Sequence, residues 1–300
     1  MRILITGGTG LIGCQLCKAL LAEGHQLTVF SRHPETVAAK CGASVQAMAT
    51  LGEWEPERVF DAVINLAGEP IVDAYWSAGR KRILRDSRIA LTEELVQRVA
   101  AAKQKPGVLL SGSAVGYYGG SQPDLELDET AAAGSDFSAT LCKDWEAAAL
   151  DAENSGVRVC LLRTGLILSE RGGLLGRMLL PFKLGLGARL GSGKQWMSWI
   201  HITDYVAMVL RLLGDESMRG PFNMTAPGPV SNAEFTQALA RALHRPACFV
   251  APGLFLKLVM GERATLLLDG QRVLPTRLAA AGGQFKYPEL DKALDDLLNR

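Results

Sequence analysis

Apolar residues come first as short unbroken runs and then at helical spacing, and the alternation repeats along the first half of the chain. Residues 2–6 read as a buried strand, and after a glycine-rich turn Leu16, Leu20 and Leu21 mark one face of a helix that stops at Gly24. Further strands are predicted over 26–30, 61–66, 107–111 and 157–163. Between them, residues 80–102 form an amphipathic helix with Ala90, Leu91, Leu95, Val96 and Val99 on one face, and 140–153 form another. Apolar strands alternating with helices imply an α/β fold: a doubly wound parallel sheet of Rossmann type, covered on both faces. Beyond Arg163 the texture changes to a glycine-rich stretch over 165–197, and a helical pattern returns over 199–213. The dinucleotide-type domain is therefore placed at 1–168, with 199–222 returning to it. Residues 169–198 and 223–300 are assigned to a smaller C-terminal substrate lobe that closes over the strand ends.

Composition narrows the function classes. At 300 residues, 48% hydrophobic and 21% charged, the chain is globular rather than disordered. Its 32 Lys and Arg against 31 Asp and Glu give a net charge of +1, so no long-range field draws it to nucleic acid or to an anionic membrane. No apolar run reaches the roughly 18 residues of a membrane span, and the N-terminal run lacks the order of a signal peptide. Six scattered cysteines without a secretory signal point to reduced thiols and a cytoplasmic setting. Cys14 and Cys17 form a lone C-x-x-C read as helix packing, and the dispersed histidines form no metal set. His201 is expected to be buried and hydrogen-bonded. The partners implied are a small-molecule substrate and, at most, a second copy of the chain: a monomer or homodimer.

The chemistry starts at Gly7-Gly8-Thr9-Gly10-Leu11-Ile12-Gly13, between the first strand and the first helix. Glycines there allow a tight turn and let main-chain N–H groups approach a pyrophosphate at the positive end of the helix. Gly7, Thr9, Gly10, Leu11, Ile12 and Gly13 are accordingly assigned to a dinucleotide. The second strand ends in Ser31-Arg32-His33 with no acid to meet the adenosine ribose, so Ser31 and Arg32 point to the 2′-phosphate of NADP. Two more loops close strands at the same edge, Asn65-Leu66-Ala67-Gly68 and the segment Ser111-Gly112-Ser113 with Tyr117 and Tyr118 following. Asn65, Leu66, Ala67 and Gly68 are assigned to the cofactor, and Arg88 to a phosphate or to the substrate. Gly191-Ser-Gly-Lys194 lacks the glycine spacing and hydroxyl of a phosphate loop, and Gly112-Ser113-Ala114 is not a hydrolase elbow.

These motifs, with Trp199-Ile-His-Ile-Thr-Asp204 and Gly220-Pro-Phe-Asn223, resemble the extended short-chain dehydrogenase/reductase superfamily, which includes nucleotide-sugar epimerases and dehydratases. The Asn65–Ile71 run (residues 65–71), the Ala-Val-Gly-Tyr-Tyr-Gly loop, residues 181–187 and 270–275 are similar to an epimerase-like subgroup ending in a domain without assigned function. The resemblance implies a serine that polarises the substrate oxygen, a proton-transferring tyrosine and a lysine four residues after it. Ser113 matches the serine and Lys143 lies at about the expected distance, but position 139 is Ala. Tyr118 or Tyr117, Glu69 or a water relay could replace the missing group; Ser113, Tyr118 and Lys143 form the expected catalytic set. The function expected is that of an NADP(H)-dependent oxidoreductase or epimerase-like enzyme for a small carbonyl or hydroxyl compound. A catalytically silent NADP(H)-binding sensor or scaffold is the alternative.

Overall fold

The main strands are apolar on both faces, so helices must cover both sides of the sheet they form. The structure, a computed structural model, describes residues 1–120 and 125–299. Strand β1 (Arg2–Thr6) leads into helix α1 (Leu11–Ala22), then β2 (Gln26–Phe30), α2 (Val37–Cys41), β3 (Gln46–Met48) and β4 (Ala62–Asn65). Helices α3 (Ala78–Asp86) and α4 (Ile89–Ala101) precede β5 (Val108–Ala114), a short β6 (Glu126–Leu127), α5 (Phe137–Leu150) and β7 (Arg158–Thr164). The second half supplies β8 (Leu166–Leu168), α6 (Gly173–Lys183), β9 (Ala188–Leu190), β10 (Trp196–Met197), β11 (Trp199–His201), α7 (Ile202–Gly214) and β12 (Gly220–Met224). Then follow β13 (Val230–Ser231), α8 (Asn232–Ala242), β14 (Phe249–Ala251), α9 (Gly253–Met260), α10 (Thr265–Leu268), β15 (Arg272–Val273), α11 (Thr276–Ala280) and α12 (Leu290–Leu298).

Seven strands make one sheet in the order β12-β7-β5-β4-β1-β2-β3, every pairing parallel. Strand order reverses on either side of β1, with Thr6 in register with Phe30 on one side and Asn65 on the other. A crevice opens at such a reversal, at the carboxyl ends of the strands. Alternation along β1 sorts its side chains: Ile3 and Ile5 pack with Leu16 and Leu20 of α1 and Val209 of α7, while Leu4 packs with Val63, Leu95 and Leu161 on the other face. A third core gathers Trp199 of β11, Phe235 and Leu239 of α8, and Tyr287 with Leu294 and Leu297 of α12.

Three local expectations change. The strand predicted to stop at 111 runs on to Ala114, so Ser113 sits in a strand rather than a loop. The single helix predicted over 80–102 is two, broken at Ser87 and Arg88. The break has a cause: the Ser87 hydroxyl donates to Leu84 O and accepts from Glu69 N, tying the chain to the loop after β4. The glycine-rich stretch 165–197 holds α6 and short strands rather than loop alone. His201 is buried and its Nδ1 accepts from Thr203 N at the start of α7, as expected of a buried, hydrogen-bonded histidine.

The tail is fastened to the sheet. Strand β15 pairs with β6, Asn223 Nδ2 donates to Leu274 O at 2.9 Å, and the buried Asp204 carboxylate accepts from Lys286 N at 2.8 Å and Tyr287 N at 2.9 Å. Replacing Asp204 by Ala should leave two main-chain donors unpaired and cost about 1–3 kcal/mol in urea denaturation. Hydrogen exchange should rise first over residues 283–298.

Candidate functional site

The turn after β1 is built by glycines of different purpose. Gly7 has φ +70°, and a Cβ there would lie 2.6 Å from Leu66 C; a Cβ on Gly8 would meet Val29 at 2.8 Å, and one on Gly13 would meet Gly7 O at 2.3 Å. Those three let strand, turn and helix close on one another. Gly10 meets only Gly7 O, at 3.3 Å, and begins α1 without a side-chain cap. First-turn N–H groups have no partner within their own helix, so they and the positive helix end face the crevice, a cradle that fits an anion such as pyrophosphate.

An outer cavity of about 400 Å³ opens from this turn, with Thr9, Gly10, Ser31, Arg32, Ala67 and Gly68 in its wall. The Arg32 side chain is 76% exposed, and its Nη1 donates to Glu69 Oε1 at 2.8 Å. That bond, with Arg80 close by, holds the Glu69 carboxyl below the usual carboxylate range. Glu69 is therefore an ion-pair partner in the outer cavity and not a proton donor for the inner one. Asn65, expected to hold cofactor, lines neither cavity. It is buried, its Oδ1 accepting from Thr6 Oγ1 at 2.6 Å and its Nδ2 donating to Thr92 Oγ1 at 2.8 Å. It braces β1 against α4. The Leu11 side chain packs toward the Gly172–Gly173 turn (residues 172–173), so only its main chain is offered to the crevice.

Leu66 is shared with a second, inner cavity of about 410 Å³. One wall is the end of β5, with Gly112 and Ser113; another is α5, with Ser138, Cys142 and Trp145; Ile12 and Gly165 stand at the cofactor side, and residues 265–271 form the roof. Arg88 lines this inner cavity and not the outer one, because the break between α3 and α4 releases it from the helix surface.

Beneath the inner cavity lies a buried polar network. Ser113 Oγ donates to Glu146 Oε1 at 2.6 Å, and Arg163 grips both Glu146 oxygens, Nε to Oε1 and Nη2 to Oε2, at 2.9 Å each. Burial alone would lower the Arg163 pKa, but the Glu146 carboxylate outweighs it and holds the guanidinium above its ordinary range. Arg163 Nη1 donates to Tyr118 Oη at 3.0 Å, and Tyr118 donates to Asn223 Oδ1 at 2.7 Å. Tyr118 is 0% exposed and lines neither cavity, and burial pushes its hydroxyl up to about 12. It is a structural tyrosine rather than the substrate-facing donor expected of it.

Helix α5 corrects the expected dyad by one residue. Ala139 is buried and Lys143 is exposed to solvent, whereas Ser138 and Cys142, also four apart, face the cavity. One position on a helix is a rotation of about 100°, so a one-residue slip turns a wall residue away. The buried face Leu141, Cys142, Trp145, Glu146 was the signal that placed Lys143 outside. Burial pushes the Cys142 thiol up to about 12, and the neighbouring Glu146 carboxylate adds to the rise, so the thiol is neutral at pH 7.

Residues 3–224 match the NAD dependent epimerase/dehydratase family, and residues 251–297 match a domain of unknown function, DUF1731. The chain belongs to the epimerase/dehydratase family. An epimerase family protein of Staphylococcus aureus is 40% identical over 300 residues, spanning 99% of each chain, and one of Mycobacterium tuberculosis is 42% identical over 295 residues, spanning 97% of this chain and 96% of that one. The crystal structure of the human epimerase family protein SDR39U1 with NADPH superposes at a TM-score of 0.90 with 36% identity, each chain fully covered. A nucleoside-diphosphate sugar epimerase of Corynebacterium glutamicum gives a TM-score of 0.78 at 31% identity, over 99% of this chain and 58% of that one.

The network makes a prediction about alkaline pH. Burial raises Tyr118 and Tyr205 to about 12 in the folded chain, against about 10 when unfolded. Their contribution to stability is complete below pH 10 and is lost as pH rises toward 12, because the unfolded chain releases those protons first. Urea midpoints from pH 8 to 11.5 should fall accordingly, and Tyr118→Phe should flatten part of that slope. At pH 7 the same substitution should cost about 1–2 kcal/mol, since Arg163 and Asn223 each lose a buried partner.

Proposed function

We propose that the protein is an NADP(H)-dependent oxidoreductase of epimerase-like type that acts on a small carbonyl or hydroxyl compound. The observation behind this reading is the pair of cavities that share Leu66 along the carboxyl edge of the sheet. The outer one, about 400 Å³ with Ser31 and Arg32 in its wall, would take the adenosine end with its 2′-phosphate, and the inner one, about 410 Å³, a small substrate beside the nicotinamide. The SDR39U1 structure with NADPH, matched over its whole length, supports the same cofactor here.

The turn Gly7–Gly13 (residues 7–13) would hold the pyrophosphate, with Ser31 and Arg32 at the 2′-phosphate and Leu66, Ala67 and Gly68 along the ribose path. When bound, the nicotinamide supplies or takes up a hydride. The chain's own part is to seat the substrate oxygen against the donors of α5, exclude water under the roof formed by 265–271 and provide protons; Ser113, expected to polarise that oxygen, spends its O–H on Glu146 instead. Because the Ser113 proton goes to Glu146, Ser113 meets the cavity as an acceptor, and it stands beside Cys142. Ser138 and the neutral Cys142 thiol are the donors that α5 presents where a tyrosine and a lysine were expected. With Tyr118 and Lys143 both turned away from the cavity, a silent NADP(H)-binding sensor is the second reading, and a turnover screen separates the two.

Fluorescence titration should show NADPH bound well over NADH. Arg32→Ala should weaken NADPH about 10- to 100-fold, the loss of one charge-assisted contact, and leave NADH unchanged; equal affinity of the native chain for both cofactors would refute the 2′-phosphate assignment. Gly10→Val should abolish binding of either cofactor with the far-UV spectrum retained, since a branched side chain fills the cradle.

Following NADPH oxidation across a carbonyl panel tests catalysis. Cys142→Ala should lower turnover by roughly 10²-fold with unchanged cofactor affinity if the thiol is the positioned acid, and complete absence of turnover across the panel would favour the sensor.

A further inference from the structure

The inner cavity is lined by a half-buried guanidinium, Arg88, with no carboxylate of its own. Arg88 spends three N–H groups on Leu84 O at 3.3 Å, Ser87 Oγ at 3.3 Å and Glu69 O at 2.9 Å. A guanidinium has five. Among the described residues no Asp or Glu pairs with it: neighbouring Glu69 turns its carboxylate to Arg32 at 2.8 Å and Arg80 at 3.5 Å, and offers Arg88 only a main-chain oxygen. The Trp145 ring, 5.4 Å from Arg88 Cζ, gives partial compensation. Gly68 keeps the space clear, since a Cβ there would lie 2.9 Å from Arg88 Cζ. A charge drawn partly out of water gains from an ionic partner, and this one faces a cavity.

We propose that Arg88 anchors a carboxylate of the substrate, which makes the substrate a small oxo or hydroxy acid. The inference rests on the oxidoreductase reading of the same cavity and adds its substrate class. Helix α5 serves as a ruler: Trp145, beside Arg88, is nine residues from Asp136 at the helix start, about 13 Å at 1.5 Å per residue. Asp136 and Asp269 line the cavity at that far end. Charge therefore runs from a cation at one end to acids at the other, so an anionic group is drawn to Arg88 and a second anion is repelled from the far end. Ser113 and Cys142 lie between, where the reacting carbon would sit. Burial lowers the Arg88 pKa from its usual value, a destabilisation that an incoming carboxylate relieves.

The test uses the full chain with and without NADPH. Pyruvate, acetoacetate and levulinate are each titrated against their methyl esters by tryptophan fluorescence, Trp145 and Trp196 both lining the cavity. At least one acid should bind at least about tenfold more tightly than its ester, the scale of one charged hydrogen bond. Arg88→Met should abolish that preference while NADPH affinity stays within about twofold, and Arg88→Lys, which keeps the charge but not the fork, should retain part of it. Circular dichroism checks that both variants fold.

Three results would overturn the assignment: acids and esters bind alike, no acid of the panel binds up to about 10 mM, or Arg88→Met lowers NADPH affinity and leaves acid binding intact. Failure of the native chain to bind NADPH would count against the cofactor reading alone, because the acid and ester titrations are also run on cofactor-free protein.

Discussion

The buried pair of Arg163 and Glu146 is the constraint from which the inner site takes its shape. Two ions out of water are tolerated only with both guanidinium edges and both carboxylate oxygens engaged, and that requirement fixes five pieces of chain at once. Glu146 brings α5, Arg163 brings β7, Ser113 brings the end of β5, Tyr118 the turn after it, and Asn223, through Tyr118, brings β12. Loss of either charge would strand the other at about 3–5 kcal/mol. The cavity floor is therefore a polar lattice rather than a greasy base, and its geometry is set before any ligand arrives.

Much of the sheet domain was legible because its signals are local. Apolar runs, a glycine turn with a strand before it and a helix after it, and Ser31-Arg32 at the end of β2 all lie within a few residues of one another. The inner site was less legible for three physical reasons. Its roof comes from residues 265–271, which no periodicity in the sheet domain announces. Its wall on α5 was misplaced by one residue, since Lys143 was placed by the spacing the family resemblance implies, while burial follows the face that includes Cys142 and Trp145. Arg88 was read as part of one long helix, and only the Ser87 bonds to Leu84 and Glu69 reveal the break that points it inward.

The two cavities treat positive charge differently. Arg32 is solvated and already answered by Glu69 at an exposed rim, where its charge is screened by water. Arg88 is half-buried and unanswered by any carboxylate among the described residues, so an anion that reached it would meet a less screened charge. On α5 the change is one of size: Ser138 and Cys142, which line the cavity, are shorter than tyrosine and lysine.

Residues 251–297, matched as a domain in their own right, are bound into the rest of the chain at several points. Their strand β15 completes a pair with β6, their main chain at 286 and 287 satisfies Asp204 on α7, and Arg277 N reaches the Glu129 carboxylate. Cut away, such a segment would keep short helices and no core of its own, while the rest of the chain would be left with the Asp204 carboxylate open and β6, outside the main sheet, unpaired. Natural recombination could not pass this tail from one sheet to another as a cassette, for the sockets it fills are scattered over three elements of its host. Tail and sheet can change only together.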